Sequence, residues 1–188
     1  SWARDVYKRQ HVDILVNNTQ GPPAGNSLSK NIDSYQEAFD LLFKSVVHTT
    51  SLVIPGMQKN KWGRIINVTS VSVKEPLNYL VLSNSIRSAV VAWAKSLSVD
   101  LGPDGITVNS ILTGYFDTER IKELNKEKSK SLKITETEVL DKMKSLVPAS
   151  RLGRTEEYGY LISFLSSDNA AYINGASIPI DGGLLKSY

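Results

Sequence analysis

Four short apolar runs, at residues 12–16, 63–70, 106–112 and 177–181, are separated by stretches whose apolar residues recur every three or four positions. No other feature of the chain constrains its fold as tightly. Runs rich in Val and Ile, continuous rather than alternating with polar residues, read as strands covered on both faces. The longest periodic stretches are 34–57, with Tyr35, Phe39, Leu42, Phe43, Val46 and Val53 on one stripe, and 80–101, with Ile86, Val90, Trp93, Ala94 and Leu97. A last amphipathic helix is expected at 155–165. Strands alternating with helices imply a parallel sheet, because parallel neighbours need long crossovers. The expected class is α/β, in three layers.

Local signals place the breaks. Ser34 and Glu37 have the spacing of a capping box at the start of the first helix. Gly102, Pro103, Asp104 and Gly105 end the second and turn the chain into the next strand. After Thr113 and Gly114 comes a polar insertion with helical pieces at 118–130 and 135–146, the latter with Leu140, Met143 and Leu146 on one side. In parallel sheets of this kind ligands bind beyond the carboxyl ends of the strands, which here are 17–21, 69–72 and 113–118. Polar residues and Gly gather at those ends, and a cleft is expected there.

With 188 residues and 41% apolar content the chain suits one compact domain. The absence of Cys excludes disulfides and thiolate metal sites, and His11 and His48 are too far apart in sequence to suggest a ligand cluster, so no metal is expected. The net charge is +3, with much of the excess at 122–133, where lysines interleave with Glu123 and Glu127 as on a solvated helix face. A nucleic-acid partner is not expected from so small an excess. No apolar run approaches the roughly twenty residues of a membrane span, and cytoplasmic residence is the default expectation. Residues 1–11 show no apolar periodicity and read as a non-native or disordered leader, which leaves 12–188 as the domain.

The runs DILVNN at 13–18, GRIINVTS at 63–70, GITVN at 105–109 and FLSSD at 164–168, followed by Asn174, Gly175 and IDGG at 180–183, stand in order over about 12–184. Together they resemble the short-chain dehydrogenase/reductase family, most nearly its 3-oxoacyl-carrier-protein reductase branch. The resemblance implies a Rossmann-type doubly wound sheet that here lacks its first βαβ unit, the unit whose Gly-rich turn binds the cofactor pyrophosphate. It implies NAD or NADP as cofactor, without indicating which. It implies Asn17, Asn18, Thr19 and Gln20 after the first strand, and Thr113, Gly114 and Thr118 after the third, as cofactor contacts. Thr19 and Gln20 stand where the family has Ala and Gly, and Thr113 stands where it has Pro. The insertion at about 116–147 falls where the family carries its substrate lid.

The family's catalytic set is Asn, Ser, Tyr and Lys, and the resemblance carries over only in part. Ser70 matches the serine. The tyrosine and lysine positions hold Ser83 and Arg87 in an ungapped register, and the asparagine position falls at Leu42. A serine hydroxyl is a far weaker acid than a phenol, whereas a guanidinium stays protonated and can hold an oxyanion, ribose or phosphate. The expectation is that Arg87 stabilises charge and also contacts cofactor, while water held by Ser70 and Ser83 delivers the proton. Tyr115 is an alternative donor and Tyr79 a second, although each can equally be a packed wall of the cleft.

The implied function is NAD(P)-dependent reduction of a carbonyl, a 3-oxoacyl thioester included, or oxidation of an alcohol. The alternatives are a reductase-like scaffold that binds nucleotide or a partner without turnover, or an inactive gene fragment. The broad stripes of the helices at 34–57 and 80–101 resemble the family's subunit interface and imply a homodimer or homotetramer.

Overall fold

The computed structural model describes residues 11–187, so the leader expected at 1–11 lies, apart from His11, outside the described residues. Among these residues there are four strands: β1 (Ile14–Asn17), β2 (Gly63–Val68), β3 (Ile106–Thr113) and β4 (Ser177–Ile180). They form one all-parallel sheet in the order β1-β2-β3-β4. The register pairs Leu15 with Ile65, Ile65 with Val108, and Ser110 with Ser177. The expected α/β architecture is therefore observed.

Among the described residues six α-helices accompany the strands: α1 (Ile32–Phe39), α2 (Ser45–Asn60), α3 (Val81–Leu101), α4 (Glu119–Leu132), α5 (Glu136–Leu146) and α6 (Thr155–Leu165). Successive strand residues point to opposite faces, so Ile65 and Ile66 serve different cores. Ile65, Ile106 and Val108 pack with Met57 of α2 and with Ala94 and Leu101 of α3. Ile66 and Ile111 pack with Leu165, Tyr158, Leu161 and Ile162 of α6. Helices on both faces explain why the strands read as unbroken apolar runs.

The single helix expected at 34–57 is interrupted. Between α1 and α2 a π-helical turn spans Asp40–Lys44, and Leu42, buried to 1% exposure, sits at its centre. Its start also differs from the expected Ser34 and Glu37 pair. Asn31 is the N-cap, its side-chain oxygen accepting from the Ser34 amide at 3.0 Å and the Ser34 hydroxyl at 2.8 Å. An amide oxygen caps as well as a hydroxyl does, and here it wins by lying one turn earlier.

The helix pair of the expected lid segment also departs from its expected packing. Thr135 caps α5 in a capping box with Glu138, but Val139 and Met143 are the side chains buried, and Leu146 is 61% exposed. On β2, Arg64 is buried to 2% exposure among apolar neighbours. It lies over the Trp62 ring and donates to the carbonyls of Gly63, Gly105 and Ser167. Asp168 accepts from both Trp62 Nε1 and Arg64. This knot closes the amino end of the sheet, opposite the expected cleft.

Candidate active site

At the carboxyl end of β2 the chain leaves the sheet in extended conformation. Thr69 donates its amide and its hydroxyl to the Ile111 carbonyl, each at 2.9 Å, which holds the strand end in line with β3. Ser70 follows as the N-cap of a short 3₁₀ turn at Val71–Val73, its Oγ accepting from the Ser72 amide at 3.1 Å. The turn leads through Tyr79 to α3. A parallel bridge ties Gly25, in the loop after β1, to Leu80, with Gly25 donating its amide to the Tyr79 carbonyl at 2.7 Å. Loops from two strand ends are thus joined into one wall.

Ser83 lies in the first turn of α3 and is buried to 7% exposure. Arg87 follows one turn later on the same face. Its Nη1 donates to the Val68 carbonyl at 2.6 Å and its Nη2 to the Thr19 carbonyl at 3.3 Å. The guanidinium therefore bridges the ends of β1 and β2, and burial lowers its pKa from the ordinary arginine range. Leu42, standing where a catalytic asparagine was expected, offers no polar group.

The remaining candidates divide by where their polar atoms go. Asn17 turns inward, its Nδ2 donating to Thr50 Oγ1 at 3.0 Å and to Asn67 Oδ1 at 2.9 Å. Asn18 and Gln20 are exposed at the same strand end, with Thr19 between them. Thr113 shares a hydrogen bond of 2.9 Å with the Tyr158 hydroxyl. Gly114 passes so close to β4 that a Cβ there would meet the Asp181 Cα at 2.6 Å. Thr118 caps α4, its side chain accepting from the Ile121 amide. Asn109 spans β3 and the turn before β4, donating to the Ile173 carbonyl and accepting from the Ala176 amide.

Tyr79 and Tyr115 lie against each other. Burial pushes both phenols up, and the neighbouring Tyr115 pushes Tyr79 further. A phenol shifted upward is a weaker acid, the opposite of what a tuned proton donor needs. Lys128 of α4 sits 5.1 Å from the centre of the Tyr79 ring. Arg120, also on α4, donates to the Pro22 carbonyl at 3.0 Å and places its guanidinium 3.5 Å from where a Gly21 Cβ would be. The expected lid segment thus reaches across to the loop after β1.

Three of these residues carried no signal in the sequence. Tyr158 reads as one more apolar position of α6, yet its hydroxyl reaches the end of β3 and its ring meets Phe116 edge-on, with centroids 5.2 Å apart. Burial pushes it up to about 12, against the opposing pulls of Thr113 and Arg87. Arg120 and Lys128 read as members of a solvated charged face. Only the chain path brings them to the cleft.

A nicotinamide cofactor fits the carboxyl end in one respect that the structure shows. Of the five N–H donors of Arg87, three have no protein acceptor among the described residues. They are available to ribose hydroxyls or to a substrate oxygen. Asn18 and Gln20 offer exposed amides beside them.

The enoyl-(acyl carrier protein) reductase family model matches residues 3–185. With the parallel sheet, this match shows that the chain belongs to the short-chain dehydrogenase/reductase family. Among its relatives is the NADPH-dependent reductase BacG of Bacillus subtilis, 30% identical over 176 residues, which cover 94% of this chain and 68% of the relative. The 3-oxoacyl-[acyl-carrier-protein] reductase FabG of Haemophilus influenzae is 34% identical over 183 residues, with 94% and 68% covered. Among solved structures, the L-sorbose reductase of Gluconobacter frateurii complexed with NADPH and L-sorbose superposes with a TM-score of 0.89 at 26% identity, covering 100% of this chain and 72% of that one. YwfH, an NADPH-dependent reductase involved in bacilysin biosynthesis, gives 0.91 at 27% identity, with 100% and 72% covered.

Proposed function

We propose that this chain forms the substrate-side part of an NAD(P)-dependent oxidoreductase that interconverts a small-molecule carbonyl and its alcohol. Family membership supports the reaction class, and one curated relative and one solved structure are NADPH-dependent reductases by name. The observation that carries the site is Arg87, anchored across two strand ends with three donors unspent. When bound, the nicotinamide would supply the hydride and be left oxidised, and the oxygen would take a proton from a held water that is reprotonated from solvent. Arg87 holds the oxygen's developing negative charge, while Ser70 and Ser83 orient the water. Asn17 to Gln20, Thr113, Gly114 and Thr118 frame the cofactor, with Asn17 acting through the Thr50 and Asn67 side chains it ties to β1 and Thr118 through the α4 backbone it caps. Tyr115 acts as a wall of the cleft.

The segment at 116–147 serves as the lid of a single domain. Among the described residues no helix is long and apolar enough to cross a membrane. Phe39, Leu41, Leu52 and Val99 stay exposed on α1, the π-helical turn, α2 and α3 and support self-association of the subunit. Light scattering of the purified protein measures that.

The test of the reaction is to mix the full-length protein with NADPH or NADH and a panel of ketones, oxo acids and 3-oxoacyl thioesters, following loss of nicotinamide absorbance. Turnover with at least one class is expected, and Arg87→Ala is expected to abolish it. Cofactor binding without oxidation across the panel would instead establish a binding scaffold.

A further inference from the structure

Arg87 carries a charge that no neighbour balances. Its two hydrogen bonds go to neutral carbonyl oxygens, those of Val68 and Thr19. Among the described residues the arginine ion pairs belong to Arg64, Arg120, Arg151 and Arg154, and no carboxylate reaches Arg87. The titratable group facing it is the Tyr158 phenol, which stays neutral. A cation withdrawn from water and left unpaired is costly, and such a group ordinarily has a partner. An anionic group on a ligand would balance it.

We infer that Arg87 recognises a carboxylate on the substrate itself, so that the protein acts on oxo acids whose carboxylate lies one or two carbons from the reacting carbonyl. The inference rests on the oxidoreductase reading above and adds the substrate class. With one hydrogen on each Nη given to a backbone carbonyl, the planar guanidinium keeps Nε–H and one hydrogen on each Nη, enough for one bidentate edge toward a carboxylate, which a point-like ammonium does not offer. The third spare donor of Arg87 is left for the carbonyl oxygen beside that carboxylate, while Ser83, one helical turn before Arg87, and Ser70 at the strand end keep the water-holding role given them above. A neutral ketone or thioester would leave the cation unbalanced in the bound complex. Lys128 and Arg120 add positive charge at the lid side of the cleft, which draws anionic ligands inward.

The experiment uses the full-length protein with pyruvate, 2-oxobutanoate, phenylpyruvate and 3-oxobutanoate, each against its methyl ester, together with calorimetric titration of the unreactive probe oxamate. A charge-assisted hydrogen bond predicts kcat/KM higher for acid than for ester by roughly 10- to 150-fold. In Arg87→Ala, where turnover is already expected to be lost, oxamate binding disappears. Arg87→Lys keeps the charge without the fork and retains a reduced ratio. Should Arg87→Ala not fold, as circular dichroism would show, the wild-type ratio and Arg87→Lys decide the matter. Equal rates for acids and esters overturn the carboxylate site and leave the oxidoreductase reading intact. Conversely, Arg87-dependent oxamate binding with no cofactor oxidation by any carbonyl sinks the oxidoreductase reading and leaves the site.

Discussion

The hydroxyl groups of Thr113 and Tyr158 lie 2.9 Å apart, joining the last residue of β3 to the first turns of α6. Tyr158→Phe removes that bond and leaves the Thr113 hydroxyl unpaired, at a cost of about 1–2 kcal/mol. Because Thr113 begins the loop that frames the cofactor, KM for NADPH should rise more than kcat falls. Alkaline melts give a separate readout. Tyr158 is held protonated up to about 12 in the folded chain, against 10.0 for an ordinary phenol. Its contribution to stability is complete below pH 10 and is lost as pH climbs towards 12, amounting to roughly 2 kcal/mol. Tyr158→Phe should flatten that part of the alkaline decline, and an unchanged curve would refute the assignment.

Glu157 behaves in the opposite sense. Bidentate contacts from Arg151 at 2.7 and 2.8 Å, with the Arg154 amide at 2.8 Å, pull its carboxyl down to about 2. A depressed carboxyl stabilises the fold above its ordinary pKa and loses that contribution as pH falls through about 2. Glu157→Gln should therefore be less acid-sensitive than wild type between about pH 4.5 and 2, as followed by circular dichroism. Direct NMR titration of the side chain gives the pKa itself.

Removing Arg64 should hurt the fold without touching the cleft. Arg64→Ala strips donors from three carbonyls and leaves a void over Trp62, costing roughly 3 kcal/mol in chemical denaturation. Arg64→Met, which keeps the volume, should cost less. Oxamate affinity is expected to stay unchanged in whatever fraction of either variant folds.

Thr118 offers a way to separate capping from ligand contact. Thr118→Ala should lower stability by about 1 kcal/mol, whereas Thr118→Asp keeps an N-cap acceptor and should not. If the Thr118 side chain also touches cofactor, Thr118→Asp raises KM for the cofactor while leaving the melting temperature intact. A wild-type KM in that variant would confine Thr118 to capping.

The strands and the major helices were legible in the sequence because burial on both faces leaves a simple mark, unbroken Val and Ile flanked by turn residues. Ser83 and Arg87 were legible as substitutions because α3 continues without a gap through Lys95 and Leu97. What Arg87 binds was not. Its carbonyl partners Val68 and Thr19 lie 19 and 68 residues away, and backbone oxygens have no residue signature. The π-helical turn at Leu42 was hidden for a similar reason, since one extra residue in a turn leaves the apolar stripe almost unaltered. Tyr158, Arg120 and Lys128 depend on tertiary placement, and each has an ordinary local reading that hides it. The buried Arg64 contradicts the usual rule for charged residues, and only the geometry of the sheet's amino end explains it.

The bond from Arg120 to the Pro22 carbonyl has a mechanical consequence. It fastens the first turn of α4 to the loop that follows β1, so the two cannot separate without breaking it. A molecule that prises this staple apart on entry exposes both walls at once, and the staple can close again only around what has already entered. Opening the chain at that point costs the worth of one hydrogen bond, roughly 1 kcal/mol. Arg120→Ala should let the two segments part more readily, as hydrogen exchange of the first turn of α4 would report.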